Sequence, residues 1–93
     1  MLVDKEPYID IKTLSTAIIY PEEAKRLRIE GKVQIAVLVS KTGIPQRYAI
    51  ESTASPLLLA EVVRVVMNAT FIPATRNNQP VDSWVSITII FRL

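Results

Sequence analysis

The chain carries one adjacent carboxylate pair, Glu22-Glu23, a scatter of serines and lysines, and neither histidine nor cysteine. Paired acid and base work needs two carboxylates converging on one point, and neighbours on a helix do not face each other. Glu22 and Glu23 read instead as solvated charges suited to the positive start of a helix. Without His or Cys the chain lacks the usual transition-metal ligands and the commonest acid–base group at neutral pH. A nucleophilic serine would have to use a lysine or carboxylate as base, and no G-x-S-x-G elbow is present. Gly31 and Gly43 form no phosphate-cradling loop. The reading is a non-enzyme with no catalytic residue, no metal site and no cofactor.

What remains is the chemistry of the backbone. From Trp84 to Leu93 the residues alternate to the end of the sequence: Val85, Ile87, Ile89, Phe91 and Leu93 on one face, Trp84, Ser86, Thr88, Ile90 and Arg92 on the other. This is the period of two that a half-buried strand requires. A strand covered on one edge only presents a row of unpaired N–H and C=O groups that can template a strand from another chain. Trp84, Val85, Ser86, Ile87, Thr88, Ile89, Ile90, Phe91 and Arg92 are therefore the candidate partner-binding residues. Trp84 and Arg92 are either anchors for a ligand or an aromatic covering a core edge beside a snorkelling cation. Ile90 adds an apolar spot that a partner strand or the N-terminal segment can cover.

The elements that must position this strand are punctuated by six prolines, each lying between patterned runs. Pro21 fits the first position of a short helix over 21–29, with Lys25 and Arg26 in its later turns and Gly31 as a left-handed stop. Lys32 to Ser40 alternates as a strand, Lys41-Thr42-Gly43 supplies turn residues, and Gln46 to Glu51 reads as the second strand of a hairpin. Over Leu57 to Ala69 the valines favour a strand by propensity, but spacing decides for a helix. Ser55 is its N-cap, Pro56 its first position, and Glu61, Arg64 and Asn68 leave Leu58, Val62, Val65, Val66 and Ala69 as an inward stripe. Residues 74–80 read as a turn-rich loop. Ile11, Leu14 and Ile18 stand at helical spacing in an otherwise weakly patterned start. The expected fold is α+β, a three-stranded antiparallel sheet with two helices packed on one face.

Composition bounds the rest. Ninety-three residues suffice for one modest core. No apolar run approaches the roughly 20 residues of a membrane-spanning helix, so any membrane anchor lies outside this chain. The net charge is +2 and the basic residues are scattered, which argues against a nucleic-acid partner. Absence of cysteine fits either redox compartment, and no signal peptide is legible over Met1 to Glu6.

Tyr20-Pro21, Ala24, Leu27-Arg28-Ile29-Glu30-Gly31-Lys32-Val33, a turn with Gly43, Phe71-Ile72-Pro73-Ala74, Asn77, Pro80-Val81 and the terminal Val85 to Leu93 occur in that order. Together they resemble the C-terminal domain of the TonB family of energy transducers over roughly residues 20–93, with residues 1–19 as an N-terminal extension or end of a linker. The chain departs from the family pattern at Leu58-Leu59, Val62, Ala69-Thr70 and Asn77-Asn78. The resemblance implies a periplasmic domain tethered to the inner membrane, in complex with ExbB and ExbD proteins through a part not in this chain. It further implies binding the TonB box of TonB-dependent outer-membrane transporters by strand addition and coupling the proton gradient to nutrient uptake, for example of siderophores or vitamins. A homodimer through the same edge and a TolA-like periplasmic adaptor are the competing readings.

Overall fold

The computed structural model describes residues 4–93; Met1, Leu2 and Val3, part of the stretch Met1 to Glu6 in which no signal peptide is legible, lie outside the described residues. The elements are α1 (Ile11–Ala17), α2 (Glu22–Arg26), β1 (Gly31–Val39), β2 (Pro45–Thr53), α3 (Pro56–Met67), β3 (Ala74–Arg76), β4 (Gln79–Val81) and β5 (Ser83–Phe91). β1, β2 and β5 form one antiparallel sheet in the order β2-β1-β5, so the strand after Gly31 is central, and the fold is α+β as expected.

Alternation explains the layering. Val33, Ile35, Val37 and Val39 of β1 are fully buried and pack with Ile87, Ile89 and Phe91 of β5 against Leu58, Val62, Val65 and Val66 of α3. Burying a side chain of this size is worth about 1.5–3 kcal/mol. The opposite sheet face is open: Trp84 is 46 % exposed and Ile90 58 %. Leu93, expected on the inward face, is instead 56 % exposed because it lies beyond the end of β5, where no facing layer remains.

α3 begins as its sequence requires. The Ser55 side chain accepts a hydrogen bond from the Leu57 N–H at 3.1 Å, and Pro56 takes the first turn, where no N–H is needed. The periodicity of the buried residues overrides the strand propensity of four valines.

α2 is shorter than the expected 21–29, and Pro21 is its N-cap rather than its first helical residue. It stops at Arg28, not at Gly31. Arg28 adopts φ 55°, its N–H bonds to the Lys25 carbonyl, and the Ile29 N–H reaches back to Ala24. These two bonds make a Schellman ending, which satisfies the last carbonyls and turns the chain into β1. Gly31 serves a different need. A Cβ there would lie 2.3 Å from the Cβ of Ala54, so the glycine lets the two ends of the β1–β2 hairpin approach.

Residues 74–80 are a hairpin rather than a loop. β3 and β4 pair through a turn in which Asn77 and Asn78 both have positive φ, at 51° and 64°. This is the primed two-residue turn that favours strand pairing, and asparagine tolerates the left-handed conformation. Residues 4–8 then lie antiparallel to the stretch 72–75, with Tyr8 N–H to Ile72 carbonyl at 2.9 Å and the return bond at 2.7 Å. α1, a third helix, follows under an Asp10 cap and places Leu14 in the core, 1 % exposed. No helix among the described residues is long and apolar enough to cross a membrane.

Candidate functional site

The sheet has two edges, and they differ. β2 pairs β1 with two register shifts, between Gln34 and Ile35 and between Leu38 and Val39, and starts at a proline. Bulges of this kind twist a strand and blunt its edge. β5 pairs β1 without interruption from Ser83 opposite Val39 to Phe91 opposite Gly31. Its regular backbone is the better template.

The hydrogen-bond phase identifies which β5 groups face outward. The Ser40 N–H bonds to Ile44, and the Lys32 carbonyl accepts from Ala54, so the even-numbered residues of β1 point toward β2. Backbone groups of successive residues point to opposite sides in an antiparallel ladder, hence the odd-numbered residues of β1 point toward β5. Their partners are Ser83, Val85, Ile87, Ile89 and Phe91. The N–H and C=O groups of Trp84, Ser86, Thr88 and Ile90 therefore project from the outer edge. Among the described residues no backbone hydrogen bond from outside the sheet reaches them.

The predicted residues thus divide by role. Trp84, Ser86, Thr88 and Ile90 bring both exposed side chains and outward backbone groups, and Arg92 sits exposed just past the strand. Val85, Ile87, Ile89 and Phe91 turn their side chains to the core and their backbone to β1. They tie the strand to the core and to β1.

Both ends of β5 are tied down. Asp82 accepts a hydrogen bond from the Lys41 N–H at 2.7 Å, and the Leu93 N–H lies 3.3 Å from the Glu30 carboxylate. Phe91 meets the Tyr20 ring edge-on, with centroids 5.3 Å apart and an interplanar angle of 88°. The Tyr20 hydroxyl donates to the Ile29 carbonyl. Burial, with a further contribution from the Glu30 charge, raises the Tyr20 phenol above its ordinary pKa, so it stays protonated as that donor. Glu22 and Glu23 are exposed on α2 and pair with Lys25 at 3.8 Å and Arg26 at 2.6 Å, and they face no common point.

One part of the site has no sequence signal. On its core side the edge looks onto two clefts, each roughly 210 Å³. The first lies between Val85–Thr88 and a wall of Pro7, Tyr8, Ile9, Leu14 and Phe71. The second lies between Ile89–Arg92 and Ser15, Ile18 and Tyr20. Pro7-Tyr8-Ile9 has neither helical nor strand periodicity, and only its pairing with Ile72 brings it beside β5.

This architecture is shared. The solution structure of the Pseudomonas aeruginosa TonB C-terminal domain superposes with a TM-score of 0.69 over 97 % of this chain and 87 % of that one, at 22 % sequence identity, a likeness of fold. Protein tonB2 of Pseudomonas aeruginosa is 33 % identical over 75 residues, which cover 80 % of this chain and 28 % of that protein. The chain thus spans little more than a quarter of that relative's length. Residues 16–93 match the model of the Gram-negative bacterial TonB protein C-terminal family. On that match over most of its length, this chain belongs to the Gram-negative bacterial TonB protein C-terminal family.

Proposed function

We propose that the outer edge of β5 receives an extended segment, the TonB box, of a TonB-dependent outer-membrane transporter. The observation that carries this reading is the uninterrupted edge at Trp84, Ser86, Thr88 and Ile90, which no backbone group among the described residues pairs on its outer side. Backbone hydrogen bonds supply the affinity in strand addition and outward side chains the preference. At a net gain of about 1 kcal/mol per bond, less the cost of ordering the peptide, such pairing is weak and reversible. Reversibility suits a domain that must engage and release. The family is one of transducer and interaction domains and not of enzymes.

In the same reading residues 20–93 are the receptor-binding domain and residues 1–19 an N-terminal extension or the end of a linker, of which residues 4–8 pair with the 72–75 stretch. The domain works in the periplasm as part of a longer protein, anchored in the inner membrane and coupled through ExbB and ExbD proteins to the proton gradient. A second use of the edge is pairing with another copy across a two-fold axis, in which side chains of the added strand would lie beside exposed Trp84 and Ile90.

The test is a titration of isotope-labelled protein with a TonB-box peptide from a transporter of the same organism, with sedimentation alongside. Saturable shifts of the Ser86, Thr88 and Ile90 amides are expected. Shifts confined to β2 or the helices would move the site elsewhere.

A further inference from the structure

β2 is the other edge of the sheet, and the two shifts that blunt it leave Arg47 to Ile50 in unbroken register with Leu38 to Ile35. The even-numbered residues of β1 point toward β2 and face Arg47 and Ala49, so the N–H and C=O groups of Tyr48 and Ile50 project outward. Among the described residues no backbone hydrogen bond from outside the sheet reaches them. Their side chains lie on the helix side, opposite Val37 and Ile35, yet Tyr48 is 43 % exposed and Ile50 54 %. The reason is where α3 sits. Glu61 and Arg64 tie one flank of it to Ile19 and Ala17 at the end of α1. Leu59, Val63 and Met67, a row at four-residue spacing on the opposite flank, are only half-buried. An apolar strip thus runs along the β2 edge without a cover.

The other face of the same edge carries charge. Arg47 and Glu51 are both exposed there, and neither makes an ion pair among the described residues. Glu51 Oε1 accepts from the Ser86 hydroxyl, which leaves Oε2 for a second donor.

We infer that β2 pairs antiparallel with β2 of a second copy of this chain, with Ala49 on the two-fold axis. Such an interface is self-complementary, each residue meeting the same partner from both sides. Several registers set the outward groups of one copy against those of the other. Centring on Arg47 or on Glu51 opposes like charges, and centring on Tyr48 or Ile50 leaves both charges unmatched. Centring on Ala49 sets Arg47 opposite Glu51 of the second copy, and Glu51 opposite its Arg47. The same register pairs Tyr48 with Ile50 twice, an aromatic against a β-branched side chain on the helix side. Ala49 meets its own copy in the close type of pair, where a small side chain lets the strands approach. The two Tyr48–Ile50 pairs exchange about four backbone hydrogen bonds, so the association is weak and belongs to concentrated protein.

The sheet would then run β5-β1-β2-β2-β1-β5, with a β5 edge open at each rim. Pairing at β2 neither uses nor blocks the edge proposed for the transporter segment, and the two can fail separately.

The test is sedimentation of the parent and of two charge reversals from tens of micromolar to about 1 mM. Arg47→Glu and Glu51→Arg should each weaken self-association at least tenfold. Mixed in equal amounts, the two variants should associate at least tenfold more tightly than either does alone, because each then meets the opposite charge. Ala49→Cys adds the only thiol in the chain and should cross-link to its copy at least tenfold faster than Thr88→Cys on the β5 edge. A parent that stays monomeric throughout the range, or a mixture no tighter than its components, overturns the pairing at β2. A dimer indifferent to both charge reversals, with Thr88→Cys the faster to cross-link, moves self-association to β5 and overturns it as well.

Discussion

The Ser86 hydroxyl donates a hydrogen bond to the Glu51 carboxylate at 2.7 Å, joining β5 to β2 across the central strand. Ser86 and Ala49 both sit opposite Ala36, and the small side chain of Ala36 leaves the path over β1 open. The side chain of Ser86 is thus turned inward over the sheet while its backbone groups point out at the free edge.

That division predicts a contrast between two edge substitutions. Ser86→Ala removes one exposed hydrogen bond and no outward backbone group, so it should cost at most about 1 kcal/mol of stability and leave TonB-box affinity within about threefold. Thr88→Pro removes an outward N–H and bends the strand, so it should abolish binding. Melting curves of both variants must first show native folding; native Thr88→Pro protein that binds as well as the parent would exclude this edge.

Ile87 is buried opposite fully buried Ile35. Ile87→Ala should lower the unfolding free energy by about 2–4 kcal/mol, a large part of the margin of a small domain. Denaturant titration measures it, and an unchanged midpoint would contradict the inward assignment of this face.

Arg28 ends α2 with φ 55°, a conformation that is free for glycine and costly for a side chain. Arg28 is exposed and neither its head group nor its stem is part of the core. Arg28→Gly should therefore stabilise the fold by about 0.5–1 kcal/mol. A fall in melting temperature would show that the side chain contributes something beyond the turn.

Glu61 gives the fold a signature in acid. Its carboxylate takes two hydrogen bonds from Arg64, at 2.7 and 2.8 Å, and one from the Ile19 N–H at 2.7 Å. The Arg64 bond is the main cause holding the Glu61 pKa below the ordinary glutamate value, with the Ile19 bond helping and burial opposing. A group with a depressed native pKa stabilises the fold above its unfolded pKa, about 4.3, and loses that contribution as pH falls through the native value. Stability of the parent should therefore decline in that acid window more steeply than that of Glu61→Gln. Parallel curves from neutral pH down to pH 3 would show that the carboxylate is not linked to folding.

Much of this was legible where one residue pattern had one solution. Val33, Ile35, Val37 and Val39 alternate too regularly to be anything but a strand, and Ser55-Pro56 marks the start of α3 despite its valines. Alternation also divides β5 into faces. It does not say which edge is free, because that depends on β1 lying between β2 and β5. The β3–β4 hairpin escaped because three-residue strands carry no periodicity and Asn77-Asn78 suits a loop as well as a tight turn. The ending of α2 was misplaced because glycine is the usual left-handed residue and Arg28 bears that conformation through two backbone bonds instead. Pro7–Ile9 could not be placed at all without the pairing of Tyr8 to Ile72.

The unbroken β1–β5 register also sets how the domain bears a load. Inter-strand hydrogen bonds in an antiparallel ladder run perpendicular to the strands. Tension drawn along a peptide lying beside β5 would reach β1 as shear, spread over every rung from Ser83–Val39 to Phe91–Gly31 at once, whereas a pull across the strands would peel the rungs apart one at a time. Under the proposed strand addition, the β1–β5 ladder would therefore resist a lengthwise pull on the partner better than a sideways one.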